Sequence, residues 1–121
     1  MNIKTSKDRR WKRYPLDVRV RVVIVTENGN EVIHGRSRAI SEGGIGVTLT
    51  RELSKGMLVN LHFKLPESDR ERIYQAQLKY RSGFHSGFEF IGVQPHERLE
   101  LREFCESLEG KSSADVAEAR A

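Results

Sequence analysis

Apolar and polar residues alternate along most of the chain, which predicts a protein made mainly of β-strands. The two clearest runs extend from Leu16 to Ile24 and from Met57 to Leu65, with every second residue apolar. Weaker runs predict further strands over 31–40, 45–49, 74–80 and 88–92. Short strands separated by turns at this spacing are typical of an antiparallel barrel or sandwich.

Two of these strands carry more specific expectations. Asn28-Gly29 predicts a tight hairpin before the second strand, because Asn and Gly tolerate the positive φ values of such turns. The second strand, 31–40, is polar, which predicts that its edge faces a ligand. The fifth strand is expected to bury one face, formed by Tyr74, Ala76, Leu78 and Tyr80.

After Pro95 the period of the pattern changes from two to that of a helix. An apolar stripe at i, i+3, i+4 and i+7 predicts a helix over about 96–109 that packs on the barrel, with the stripe formed by Leu101, Phe104, Cys105 and Leu108. Gly110 can end this helix. The segment after it is consistent with either a short helix or a disordered tail.

Charge divides the chain of 121 residues into a cationic arm and a nearly neutral body. Residues 1–21 hold eight Lys/Arg and two Asp/Glu, whereas the rest has a net charge of −2. The length fits one domain, so we expect a mobile basic arm (1–15), a barrel with its helix (16–109) and a tail (110–121). The arm indicates a polyanionic partner, unless it is only a solvated terminus.

Several expectations follow from what the sequence lacks. It has no apolar run of the roughly 20 residues that cross a bilayer, and its basic start lacks the apolar centre of a signal peptide. The single cysteine, Cys105, cannot form an internal disulfide. We therefore expect a cytoplasmic protein without membrane insertion. The near-neutral body also argues against specific DNA binding.

No pattern of catalytic or metal-binding residues is found in the sequence. The histidines are dispersed, at positions 34, 62, 85 and 96, whereas zinc ligands often come in close-spaced pairs. Neither a nucleophile elbow nor a phosphate-binding loop motif occurs. We therefore predict a protein that is not an enzyme and has no metal and no cofactor. Cys105, on the helical stripe, is best explained as a small core residue.

Two short motifs carry the candidate chemistry. In the arm, Arg9, Arg10 and Arg13 suit a phosphate, to which arginine forms paired hydrogen bonds, or the O6/N7 edge of guanine. Trp11 between them either stacks on a base or anchors the arm onto the barrel. In the turn Ser41-Glu42-Gly43-Gly44, the serine hydroxyl can bind a ligand and Gly44 permits close approach. The alternative is an ordinary turn at a strand end.

Taken together, the two motifs resemble those of a known family. Arg-x-x-x-Arg at Arg9 and Arg13, then a hairpin, then Ser-x-x-Gly at Ser41 and Gly44, is similar to the PilZ domain, a bacterial receptor for cyclic di-GMP (c-di-GMP). The resemblance covers about residues 8–108, including the aromatic strand around Phe88. It implies a mainly β fold, a six-stranded antiparallel β-barrel of the split-barrel type with a C-terminal α-helix.

The resemblance also implies a ligand site and a function. Arg9 and Arg13 match the motif arginines that fold over the ligand, Arg10 matches a position that often adds a contact, and Ser41 and Gly44 match the motif serine and glycine. The implied protein is a non-catalytic receptor of c-di-GMP. Its arm closes over the ligand and signals to a downstream protein partner, with the receptor a monomer or a ligand-dependent dimer.

The chain departs from the family pattern at Ala39, where the family has Asp or Asn. Those side chains accept hydrogen bonds from guanine, and loss of a hydrogen bond to a charged group costs roughly 1.5–3 kcal/mol, about tenfold or more in affinity. Two alternatives therefore stay open. One is a degenerate PilZ-like interaction module that does not bind the nucleotide, and the other is a basic arm that binds nucleic acid or membrane.

Overall fold

The computed structural model describes residues 11–66 and 68–120, and the surroundings of side chains as far as Glu109. Within this part of the chain, seven strands precede one helix. The strands are β1 (Tyr14–Pro15), β2 (Arg19–Thr26), β3 (Gly29–Ile40), β4 (Gly44–Leu49), β5 (Leu58–Lys64), β6 (Glu71–Ser82) and β7 (His85–Phe90), and the helix is α1 (Pro95–Arg120).

Strands β2 to β7 form a closed antiparallel barrel. Their order around the barrel is β3–β2–β5–β6–β7–β4, and the pairing of β3 with β4 closes the ring. The short strand β1 lies outside the ring and pairs with β3. The prediction of a mainly β fold, with a six-stranded antiparallel barrel and a C-terminal helix, is thus confirmed.

The barrel interior is filled by the alternating residues that the sequence indicates. In β5, Val59, Leu61 and Phe63 are buried, whereas Leu58 on the opposite face is 61% exposed. The first hairpin also forms as expected: β2 and β3 are joined through Glu27 and Asn28, and Gly29 carries a φ of 114°. That φ is accessible to glycine at little steric cost, so the tight turn is compatible with the twist of both strands.

Helix α1 covers the barrel with the predicted apolar stripe. Leu101, Cys105 and Leu108 are buried in the same core as the strands, and Phe104 is partly buried against it. The helix does not end at Gly110, but continues to Arg120. A glycine inside a helix costs only about 1 kcal/mol relative to alanine, and no proline follows it to interrupt the backbone hydrogen bonds.

The second strand, whose edge is expected to face a ligand, is paired differently along its length. β3 pairs with β2 over 29–36 and with β4 over 35–40, so among the described strands residues 29–34 pair with β2 alone. One of its polar residues, Ser37, is buried. Its Oγ donates to the carbonyl of Leu16 at 2.6 Å and accepts from the amide of Val18 at 2.9 Å, joining the chain before β2 to β3.

The predicted buried face of the fifth strand is correct only in part. Tyr74, Ala76 and Leu78 of β6 are buried, but Tyr80 is 61% exposed. The register between β6 and β7 shifts between Leu78 and Tyr80. Such an irregularity adds a residue to one strand, which reverses the face on which the following side chains lie.

Paired variants of β5 test this description of the core. Leu61→Ala removes a fully buried side chain and leaves a cavity, so the free energy of unfolding should fall by about 2–5 kcal/mol. Leu58→Ala, on the exposed face of the same strand, should change it by less than about 0.5 kcal/mol. Denaturant titration followed by circular dichroism measures both, and equal losses in the two variants would contradict the assignment of faces.

Candidate functional site

The end of the basic arm lies directly beside the glycine turn. In the pairing of β1 with β3, Tyr14 is opposite Ile40 and Pro15 is opposite Ala39. Arg13 precedes Tyr14 and Ser41 follows Ile40, so the same antiparallel register sets Arg13 alongside Ser41. The side chain of Arg13 is exposed. Two motifs that are distant in sequence are therefore neighbours in the fold.

Ser41 holds the turn together from within. Its Oγ accepts hydrogen bonds from the amides of Gly43 at 3.2 Å and Gly44 at 3.1 Å, while its own amide donates to the carbonyl of Gly44 at 2.8 Å. Serine side chains commonly satisfy turn amides in this way. These hydrogen bonds give Ser41 a role in shaping the turn. Its side chain is half-buried.

Gly44 is required by a close approach of two backbones. A Cβ at this position would overlap the carbonyl oxygen of Phe88 on the neighbouring strand β7. Gly44 pairs with Glu89 there, and the adjacent amide of Phe90 donates to the carbonyl of Gly43 at 2.9 Å. The motif glycine therefore allows β4 to meet β7 and the barrel to close.

Trp11 anchors the arm onto the turn. Its indole lies against Gly43, where a Cβ would overlap the ring. The guanidinium carbon of Arg98, on α1, lies 5.4 Å from the ring centroid, in the range of a cation–π contact. Of the two interpretations of Trp11 offered by the sequence, this geometry favours the anchor.

Helix α1 binds both the turn and the arm. At the turn, Arg98 Nη1 donates to the Glu42 carbonyl at 3.4 Å, and Arg102 Nε donates to the Glu42 carboxylate at 3.2 Å. At the arm, the Glu109 carboxylate accepts from Lys12 Nζ at 2.7 Å and from the Tyr14 hydroxyl at 3.1 Å.

These contacts to Glu109 have electrostatic consequences. The hydrogen bond from Lys12, followed by that from Tyr14, holds the pKa of Glu109 below its usual value. The same bond raises the pKa of Lys12. The ion pair therefore stays charged at neutral pH, although pairs as exposed as this one are individually weak.

A surface with almost no side chains extends from the turn across the outside of the barrel. Ala39, Gly46 and Gly87 are successive register partners on β3, β4 and β7, and Gly87 is in turn opposite Tyr80 of β6. A Cβ on Gly87 would lie 3.4 Å from Tyr80 Cβ and 3.5 Å from its ring, so the tyrosine borders this surface. We call these four residues the glycine floor.

The glycine floor is suited to a flat ligand. Missing side chains let a planar group approach the sheet, and the exposed ring of Tyr80 offers a stacking surface at one end. The sequence analysis did not identify Tyr80, because its alternating pattern suggested burial. The only hint in the sequence is Gly87, directly before Phe88 in the last strand, because a glycine inside a strand often marks a place where another group approaches the backbone closely.

The remaining residues that the sequence singles out lie away from this surface or outside the described part of the chain. Arg9 and Arg10 lie outside the described residues. Cys105 is buried, as predicted, and burial raises the pKa of its thiol to about 12, so it stays protonated and unreactive. Among the residues that the structure describes, no three His, Cys, Asp or Glu side chains come together as metal ligands, and no helix is long and apolar enough to cross a membrane.

Two glycines of β4 provide a matched test of the turn. Gly44→Ala should lower the thermal unfolding midpoint, because the new methyl overlaps the Phe88 carbonyl and such overpacking costs about 1–3 kcal/mol. Gly46→Ala should leave it unchanged or slightly higher, since the nearest atom to its Cβ, the carbonyl oxygen of Ala39, is 4.0 Å away. Differential scanning calorimetry compares the two, and a G44A midpoint equal to that of G46A would refute the close approach.

Comparisons with known proteins agree with this geometry. The PilZ domain family model matches residues 7–107. The comparison with curated proteins found no match. The PilZ domain of YcgR from Escherichia coli with c-di-GMP superposes with a TM-score of 0.74 at 19% sequence identity, covering 90% of this chain and 97% of that one.

Two further solved structures share the fold. E. coli YcgR in complex with c-di-GMP gives a TM-score of 0.76 at 21% identity, covering 92% of this chain but 50% of that one. The PilZ domain of CeSA, from a cellulose-synthesizing bacterium, gives 0.62 at 20% identity, covering 81% and 98%. At identities this low, the superpositions show a common fold alone, whereas the family model matches most of the sequence. The chain belongs to the PilZ domain family.

Proposed function

We propose that the protein is a non-catalytic receptor for c-di-GMP, whose arginine arm closes over the ligand and signals to a protein partner. The observation that carries this proposal is the pairing of β1 with β3. It sets the end of the arm beside the Ser41–Gly44 turn and next to the glycine floor. A cationic segment and an open, flat surface thus meet at one place on the barrel.

The chemistry of this place suits a cyclic dinucleotide. Arg13 is exposed beside the turn, where its guanidinium suits a phosphate or a guanine edge, and the sequence places Arg9 and Arg10 shortly before it. The glycine floor leaves room for a base, and Tyr80 can stack on it. Ser41 and Gly44 contribute by fixing the shape of the turn. The ligand would contact the backbone of this turn.

Ligand binding would affect the rest of the molecule through the contacts that the arm makes with the turn and the helix. Trp11 touches both Gly43 and Arg98, and Lys12 is paired with Glu109 on α1. If the arm moves to close over a nucleotide, these contacts change and so does the surface near the helix. That surface is where a partner, or a second copy in a ligand-dependent dimer, would detect the bound state.

One observation favours a second function. Ala39 is half-buried on the glycine floor and cannot accept a hydrogen bond from guanine through its side chain. In addition, Ser41 Oγ already accepts hydrogen bonds from two amides of the turn. A PilZ fold with these features could be an interaction module that no longer binds the nucleotide.

Calorimetric titration tests the receptor directly. The protein should bind c-di-GMP, and Arg13→Ala should weaken binding about tenfold or more, because each charge-assisted hydrogen bond contributes roughly 1.5–3 kcal/mol. Binding should also weaken with added salt. Lys55→Ala, an exposed lysine in the turn before β5, is the control and should bind normally. Absence of heat at high protein concentration would reject the receptor proposal.

Ala39→Asp separates the receptor from the degenerate module. In a receptor, the new carboxylate adds a guanine contact, so the dissociation constant should fall about tenfold from a measurable wild-type value. Fluorescence of Trp11, which lies on the turn, reports the titration. If only A39D responds and the natural protein does not, the protein is an interaction module and the receptor proposal fails.

A further inference from the structure

A second surface lies on a part of the barrel that shares β3 with the glycine floor. It is a cleft of about 1260 Å³, and most of its lining comes from β2, β3 and β5. Six basic or histidine side chains line it: Arg19, Arg21, His34, Arg36, His62 and Lys64. We call these six residues the basic ladder. The glycine floor, by contrast, extends from β3 across β4 and β7 to β6.

The strand register brings like charges into direct opposition in this cleft. Arg19 on β2 is paired with Arg36 on β3. On its other side, Val20 is paired with Phe63 of β5, so Lys64 lies beside Arg19. In the next row, Arg21 is opposite His34 on one side and His62 on the other.

Two carboxylates partly neutralise this surface. Glu71 accepts from Arg21 Nη2 through both oxygens, at 2.9 and 2.8 Å, and Asp17 accepts from Arg36 Nε at 2.7 Å. Four Arg/Lys side chains thus face two carboxylates. Like charges directly opposite each other destabilise a sheet, by the same few tenths to about 1 kcal/mol that favourable pairs contribute. An anionic partner would offset this cost.

We propose that the basic ladder binds an extended acidic segment of a partner protein, with carboxylates at every second residue. This goes beyond the proposed nucleotide receptor and does not depend on it. Each of the three strands contributes a pair of ladder residues two positions apart, such as Arg19 and Arg21. Side chains two apart on a strand repeat about every 6.7 Å, which is also the spacing of alternate residues in an extended peptide.

The size of the ladder favours a short acidic segment over nucleic acid. Three adjacent strands span about 10 Å, and the two rows are about 7 Å apart, enough for a few carboxylates. Nucleic acids gain affinity by contacting many phosphates, whereas the chain beyond residue 21 has a net charge of −2 and would repel a longer polyanion. Val18 and Pro66 in the same cleft offer apolar contacts to a peptide.

A labelled peptide tests the proposal without any nucleotide. The probe is a fluorescein-labelled peptide of alternating Glu and Thr, and its control has Gln in place of Glu. Fluorescence anisotropy at low ionic strength should show binding of the Glu peptide and much weaker binding of the Gln peptide. The double variant Arg19→Glu with Lys64→Glu should weaken binding by about tenfold or more, since two attractive pairs become repulsive. Lys55→Glu, outside the cleft, should weaken it much less.

Thermal stability distinguishes a variant that no longer binds the peptide from one that no longer folds. Arg19→Glu places a carboxylate opposite Arg36, which replaces a repulsive cross-strand pair by an attractive one. Its thermal midpoint should therefore be equal to or above that of the wild type, although it binds the peptide less well. The double variant should also keep the wild-type response to c-di-GMP, so this proposal and the receptor proposal can fail separately.

Three results would overturn the proposal. One is equal affinity for the Glu and Gln peptides, and another is unchanged peptide affinity in the double variant. The third is tighter binding of a short oligothymidylate or of phosphatidylserine vesicles than of the Glu peptide, abolished by the same variant. That third result would reassign the basic ladder to nucleic acid or to a membrane surface.

Discussion

Closure of the barrel depends on the close approach of Gly44 to the carbonyl of Phe88. Because glycine has no Cβ, β4 can lie between β3 and β7 and complete the ring. The same approach fixes the start of β4 and, with the hydrogen bonds of Ser41, the shape of the turn before it. Trp11 of the arm and Arg98 of the helix both contact the turn whose shape this approach sets.

The barrel presents two chemically different surfaces, which have only β3 in common among the strands of their named residues. The glycine floor is nearly free of side chains and adjoins the cationic arm, which suits a flat anionic ligand. The basic ladder consists of two rows of arginine, lysine and histidine side chains, which suits carboxylates of an extended segment. Because of the pleat, both surfaces lie outside the barrel: Gly46 and Gly87 face outward on β4 and β7, as Arg19 and Lys64 do on β2 and β5. Their chemistry differs because the outward residues are glycines on one pair of strands and cations on the other.

Local patterns were sufficient for most of the fold. The alternation through Leu61 identified a strand and its buried face, and the stripe containing Leu101 and Cys105 identified the helix, because burial and periodicity are set by nearby residues. The position of Tyr80 could not be predicted in this way. A register irregularity after Leu78 moves it to the outer face, and that irregularity arises in the pairing with β7, which the alternating pattern of β6 alone does not show.

The sequence by itself determined the family, the order of the elements and the cationic character of the arm, since motifs, periodicity and charge are properties of the chain alone. Tertiary structure decided which residues meet. It placed Arg13 beside Ser41 through β1, aligned Ala39 with Gly46 and Gly87, and set Arg19 against Arg36. It also showed that Ser41 and Gly44 serve the turn and the closure of the barrel. These relations depend on strand register, which non-local hydrogen bonds and core packing fix only when the whole barrel forms.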